Sequence, residues 1–96
     1  MSEKQNGASS GQEHYIKSAM QPIEVAQRIL SKEQFIGALA LNIIKYSMRA
    51  GYKDSASKDI TKRNQYAYWL ELAKADKVIN PITDTVSKDY VFKGLI

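Results

Sequence analysis

Ile23, Ala26, Ile29 and Leu30 recur at three- and four-residue steps within Gln21-Pro22-Ile23-Glu24-Val25-Ala26-Gln27-Arg28-Ile29-Leu30. That spacing predicts a short first helix with one buried face. Pro22 fits its first turn, where a missing N–H costs nothing, and Glu24 suits the positive end of the helix dipole. The next four residues, Ser31-Lys32-Glu33-Gln34, form a capping box. A second helix is therefore expected to start here, run through Ala50 and stop at Gly51 in the left-handed conformation that glycine adopts easily. Phe35, Ile36, Ala38, Leu39, Ala40, Leu41, Ile43, Ile44, Tyr46, Met48 and Ala50 surround nearly its whole circumference. A helix apolar on all sides is normally buried on all sides, so this is the expected central helix.

Lys53-Asp54-Ser55-Ala56-Ser57 has turn and cap residues without apolar periodicity and reads as a loop. A third helix is predicted from about Lys58 to Asp76, with Ile60, Ala67 and Leu70 on one apolar face. Trp69 projects roughly opposite Ile60, near Tyr66 and Lys62, and a second apolar face calls for a partner helix. Residues 77–96 form a C-terminal extension in which Pro81 stops the helix. Tyr90, Val91, Phe92, Leu95 and Ile96 are too apolar for a solvated tail and are expected to dock on the body or a neighbouring subunit, as a short terminal helix. Residues 1–13, polar and rich in Gly and Ser, read as a disordered tail, with order starting at His14-Tyr15-Ile16. The expected fold is all-α, with three main helices over 14–76, the central one buried. Assembly into a homo-oligomer is expected through the aromatic third helix and the C-terminal extension.

Composition narrows the function classes. Ninety-six residues make one domain, and 44% hydrophobic with 25% charged residues excludes global disorder and a membrane class. No run of eighteen apolar residues occurs, and Met1-Ser2-Glu3-Lys4-Gln5-Asn6-Gly7 lacks the apolar core of a signal peptide, so a cytoplasmic protein is expected. With no cysteine and one histidine, disulfides, thiolate zinc sites, cysteine nucleophiles and multi-histidine metal centres are excluded. Carboxylate-bound magnesium stays open, but no metal site or cofactor is expected. The net charge of +4 favours nucleotides or phosphates over nonspecific nucleic-acid binding and opposes mimicry of DNA.

The chemistry centres on Asn42, Lys45 and Arg49, which fall within about 60° of one another on a helix. A guanidinium and an ammonium side by side suit phosphate, and Asn42 adds a donor and an acceptor for a base or sugar. The plain alternative has Lys45 and Arg49 reaching to solvent and Asn42 satisfied within the helix seam. Past the helix stop at Gly51, Tyr52 offers a stacking face and Lys53 a further cation. His14, with Glu24, could act as a general base or read a base edge. In Asp59-Ile60-Thr61-Lys62-Arg63 the simplest reading is that Asp59 complements the dipole and Lys62 pairs with it at i+3. Tyr66-Ala67-Tyr68-Trp69 reads chiefly as a helix–helix interface. Neither of the usual phosphate-cradling glycine loops is present, and one histidine without a supporting motif does not make a Ser-His-Asp triad.

These spaced residues resemble a known family. His14-Tyr15, Ile23-Glu24-Val25, Asn42-x-x-Lys45-Tyr46-x-x-Arg49-x-Gly51-x-Lys53, then Asp59-x-x-Lys62 before Tyr68-Trp69-Leu70, are similar to a small bacteriophage-encoded domain of unknown function commonly labelled nucleotide kinase-like. The resemblance covers about residues 14–72. It implies an all-helical phage protein in a bacterial cytoplasm that binds or acts on nucleotides; a member of the wider group is described as a metal-independent nucleoside monophosphate kinase. Two departures stand out: Leu41 replaces the usual glycine before the motif Asn, and Arg63-Asn64-Gln65-Tyr66-Ala67 replaces the usual Lys-Ala before the aromatic pair.

The resulting expectation is a protein that binds a nucleotide or nucleotide-derived signal, sequestering a host defence molecule. Lys45, Arg49, Lys53 and Lys62 would hold phosphate, and Asn42, His14 or Tyr52 base or ribose. The first alternative is a phosphotransferase with ATP as substrate, in which Asp59 or His14 accepts a proton. The second is a protein inhibitor that binds a host enzyme through an exposed aromatic surface.

Overall fold

A computed structural model describes residues 20–52 and 56–95, which form three helices: α1 (Pro22–Ile29), α2 (Lys32–Ala50) and α3 (Ala56–Lys74). Among the described residues there is no strand, and the fold is all-α. The expected disordered tail over 1–13, the onset of order at His14, and Ile96 lie outside the described residues.

The starts of α1 and α2 have local causes. The Glu24 carboxylate accepts the Gln21 backbone N–H at 3.0 Å, and Pro22 follows as the first helical residue. At α2 the Ser31 hydroxyl accepts the Gln34 N–H at 3.1 Å while the Gln34 side chain accepts the Ser31 N–H at 3.0 Å, which completes the reciprocal cap. The end of α2 differs from expectation. Gly51 has a right-handed φ of −82°, and the helix closes with a tight turn in which Tyr52 N–H donates to Arg49 O at 3.0 Å. A left-handed helix stop occurs instead at Asp76, at φ 59°, just past α3. There the N–H of Lys77 returns to Leu72 O at 3.0 Å and that of Asp76 to Ala73 O at 3.0 Å, a Schellman closure that an aspartate can tolerate.

The α2–α3 hairpin is the body of the fold. Phe35, Leu39 and Ile43, spaced by four, form the buried stripe of α2 and meet Ala67, Leu70 and Ala73 of α3, with Ile23 of α1 and Ile79 of the C-terminal segment closing the core. Removing a side chain such as Leu39 from this stripe costs about 2–5 kcal/mol. Two ion pairs lie at opposite ends of the hairpin: Lys32 to Asp76 at 2.6 Å, and Arg49 to Asp59 at 3.6 Å. Although α2 is central in packing, it is not covered all round. Leu41 is 66% exposed and Met48 63%, and with Ile44 they form an apolar stripe facing away from the core. On α3, Ile60 is also exposed, so the face predicted from Ile60, Ala67 and Leu70 begins only at Ala67.

The second apolar face of α3 is covered within the chain. The Trp69 indole N–H donates to Asp84 O at 2.7 Å, the Gln65 side chain donates to Asp84 O at 3.1 Å and accepts Val86 N–H at 3.0 Å, and Tyr68 meets Tyr90 edge-on. This cover takes up the face from which self-association through α3 was inferred. The C-terminal segment is not the expected short helix; its described part consists of turns and irregular chain. Its conformation is set from a distance. The Gln27 side chain pairs with both backbone groups of Ile79, accepting its N–H at 2.8 Å and donating to its O at 3.1 Å. The Asn80 N–H donates to Asp84 Oδ2 at 2.8 Å and closes a turn around Pro81.

Candidate functional site

Tyr46 is the hub of the predicted cations. Its ring lies 5.1 Å from Lys45 Nζ, 5.9 Å from the Arg49 guanidinium carbon and 5.4 Å from Lys62 Nζ, so two turns of α2 and the first half of α3 deliver three positive charges to one aromatic ring. Each contact contributes about 0.5–1 kcal/mol where solvent reaches it. Tyr66 stacks on Tyr46 with centroids 5.8 Å apart and planes at 17°, and Trp69 meets Tyr66 edge-on at 5.4 Å. Burial, and then the nearness of Tyr46, push the Tyr66 phenol above its ordinary 10.0.

Asp59 supplies the counter-charge. Only 1% exposed, it pairs with Arg49 of α2, and not with Lys62 one turn along its own helix as the sequence suggested. Its Oδ2 is buried without a hydrogen-bond partner. A buried carboxylate oxygen left in that state is costly. Lys45, Arg49 and Lys62 against Asp59 leave the cluster with a surplus of positive charge.

Asn42 departs from the cation stripe. Its side-chain N–H donates back to Ala38 O at 2.9 Å, and the residue lines a cleft of about 120 Å³ between α1 and α2. Ile23 and Ala26 of α1, Phe35 and Ala38 of α2, and Tyr66 form most of the remaining wall. Tyr66 thus borders the cleft and stacks on the ring that carries the cations. Tyr52 is 87% exposed just beyond α2. His14 and Lys53 lie outside the described residues. A larger cleft of about 380 Å³, lined by Glu24, Gln27, Arg28, Val78, Ile79 and Asn80, contains Glu24, the predicted partner of His14, and none of the predicted cations.

The structure therefore gathers Lys45, Arg49, Lys62 and Asp59, and sets Asn42 one turn away at the neighbouring cleft. Sequence reasoning left Tyr46 and Tyr66 out of the site, Tyr46 because it fits the apolar pattern of α2 and Tyr66 because its aromatic run reads as a helix–helix interface. The signal was the flanking of Tyr46 by Lys45 and, one turn on, Arg49.

Among the described residues no cluster of potential metal ligands occurs, and no helix is long and apolar enough to cross a membrane. No curated protein and no solved structure matches the chain. The sequence profile of DUF3310, a family of proteins of unknown function, matches residues 9–68, more than half of the 96 residues, and the chain belongs to that family.

Proposed function

We propose that the chain binds a nucleotide or nucleotide-derived anion in the bacterial cytoplasm, with Lys45, Arg49 and Lys62 on phosphate oxygens and Asn42 on the base or sugar. The observation that carries the reading is the convergence of three cations on Tyr46 with Asp59 as their buried counter-charge. Cations held this close repel one another, and an anion that bridges them converts the repulsion into binding energy. Geometry supports an anion; the sequence resemblance makes it a nucleotide and suggests a phage protein that sequesters a host signal. Self-association, if the protein uses it, has the exposed stripe of Leu41, Ile44 and Met48 as its surface.

The test is calorimetry against mono-, di- and cyclic nucleotides at two salt concentrations. Binding is expected that weakens with salt and falls at least tenfold in Lys45→Ala and Lys62→Ala. Silence across the panel, with an unchanged melting temperature, overturns the reading. The orphaned Asp59 Oδ2 favours one competitor, a phosphotransferase in which this carboxylate accepts a proton. Turnover of ATP with a nucleoside monophosphate that is lost in Lys45→Ala would establish that reaction instead.

A further inference from the structure

We propose that the cleft between α1 and α2 is filled by this chain's own residues 14–16, with the Ile16 side chain seated against Ile23, Phe35 and Ala38. Such packing requires no anion and is independent of the reading above. The described chain starts at Met20, and Pro22 and Ile23 already form part of the cleft wall. Met20 is half-buried, so the chain reaches α1 along the surface of the body and not from open solvent. Gln21 between them is extended, at φ −84° and ψ 152°, the conformation that a following proline favours. Ile16 lies six residues before Pro22, a span of up to about 20 Å. That length is ample for a cleft that Pro22 itself lines.

The pattern of residues selects Ile16 within this stretch. It is the one branched aliphatic residue among positions 1–19. It also stands four residues before Met20, and residues four apart share a face both in an extended chain and in a helix. Ile16 is therefore presented to the side on which Met20 is half-buried, whichever of the two conformations the backbone takes. The family match starts at residue 9, so the stretch ahead of α1 belongs to the matched unit.

The cleft suits a small aliphatic side chain. Ile23, Ala26, Phe35, Ala38 and Leu39 make its walls apolar, and no charged residue lines it. A cavity of about 150 Å³ holds the six carbons of benzene; the 120 Å³ here matches the four carbons of an isoleucine side chain, and its open side admits a chain segment laid in from outside. Ile79 sets the precedent in the same fold: a single isoleucine from a non-helical segment, 3% exposed, that closes the core. With Ile16 seated, His14 follows two residues on, at the cleft that Asn42 lines, and the two residues that the sequence assigns to base or ribose come together.

Nuclear Overhauser spectra of the unaltered full chain, without nucleotide, test the packing directly. Cross-peaks from the Ile16 methyl groups to the Phe35 ring and the Ala38 methyl are expected, and they should persist on dilution. Ile16→Ala is expected to lower the melting temperature by about 5 °C, with Ile16→Leu retaining most of it and Lys17→Ala leaving it unchanged. The cross-peaks decide the matter even if a variant folds poorly. Their absence overturns the assignment. Cross-peaks found only between differently isotope-labelled copies in a mixed sample also overturn it, since the cleft then belongs to a second copy. Shifts at Ala38 on adding uridine or adenosine monophosphate, with no Ile16 cross-peak, overturn it in favour of a ligand. The cation cluster is tested separately by the binding of inorganic phosphate, which none of these outcomes decides.

Discussion

Arg49 Nε lies 3.6 Å from Asp59 Oδ1, which ties the last turn of α2 to the first turn of α3. The Lys32–Asp76 pair at the other end of the hairpin is shorter, at 2.6 Å, but its side chains are 51% and 74% exposed, against 45% and 2% for Arg49 and Asp59. Solvent decides which matters. Water screens the short pair, and its loss in Lys32→Ala is expected to cost under about 1 kcal/mol. Arg49→Met strands a buried carboxylate and is expected to cost about 1–3 kcal/mol. Adding Asp59→Asn to Arg49→Met should restore much of the loss. Urea unfolding of the two single variants and the double variant checks this, and strictly additive effects would show that the residues do not interact.

The clamp between Gln27 and Ile79 joins residues 52 positions apart, and Ile79 is 3% exposed. Gln27→Ala leaves a buried N–H and a buried carbonyl without partners, at about 1–3 kcal/mol each. Hydrogen exchange should show the Ile79 amide losing most of its protection, while amides in the middle of α2 slow-exchange as before relative to global stability.

Tyr90 donates a hydrogen bond to the Glu71 carboxylate, and its phenol is raised well above 10.0 by burial first and by Glu71 second, with Arg63 opposing. A group that holds its proton more tightly when folded contributes its full stability below its unfolded pKa and loses it as pH rises through that value towards the folded one. Unfolding midpoints of the unaltered protein and of Tyr90→Phe should therefore run parallel up to about pH 9 and converge above about pH 10. Curves that stay parallel to pH 11 would show that folding does not raise the Tyr90 pKa.

The capping box at Ser31 supplies a local test. Ser31→Ala removes the acceptor for the Gln34 N–H and is expected to cost about 1 kcal/mol, and Ser31→Asp to retain most of the stability. Thermal melts by circular dichroism measure both.

What the sequence revealed was what neighbouring residues decide. Pro22, Glu24 and the Ser31–Gln34 box fixed helix starts within a residue or two, because caps act over three or four positions. The four-residue spacing of Phe35, Leu39 and Ile43 was visible, but Leu41, Ile44 and Met48 are equally apolar, and only packing against α3 selects the inner stripe. The C-terminal segment was misread as a helix because Gln27 and Gln65 hold it through side-chain amides that leave no local mark. At the site, Lys45 and Arg49 were legible as neighbours on one helix. The partnership of Arg49 with Asp59, and the reach of Lys62 to Tyr46, required the hairpin to close.

The cover that the C-terminal segment gives Trp69 has a practical consequence. The family match ends at residue 68, yet Trp69, Leu70, Ala73 and Ile79, four of the nine buried apolar residues among those described, lie beyond it. A fragment cut at that boundary would lose the far wall of its own core and shed the tether between Gln27 and Ile79. The matched segment is therefore shorter than the unit that folds, and truncations designed from it should aggregate where the chain through residue 95 remains dispersed.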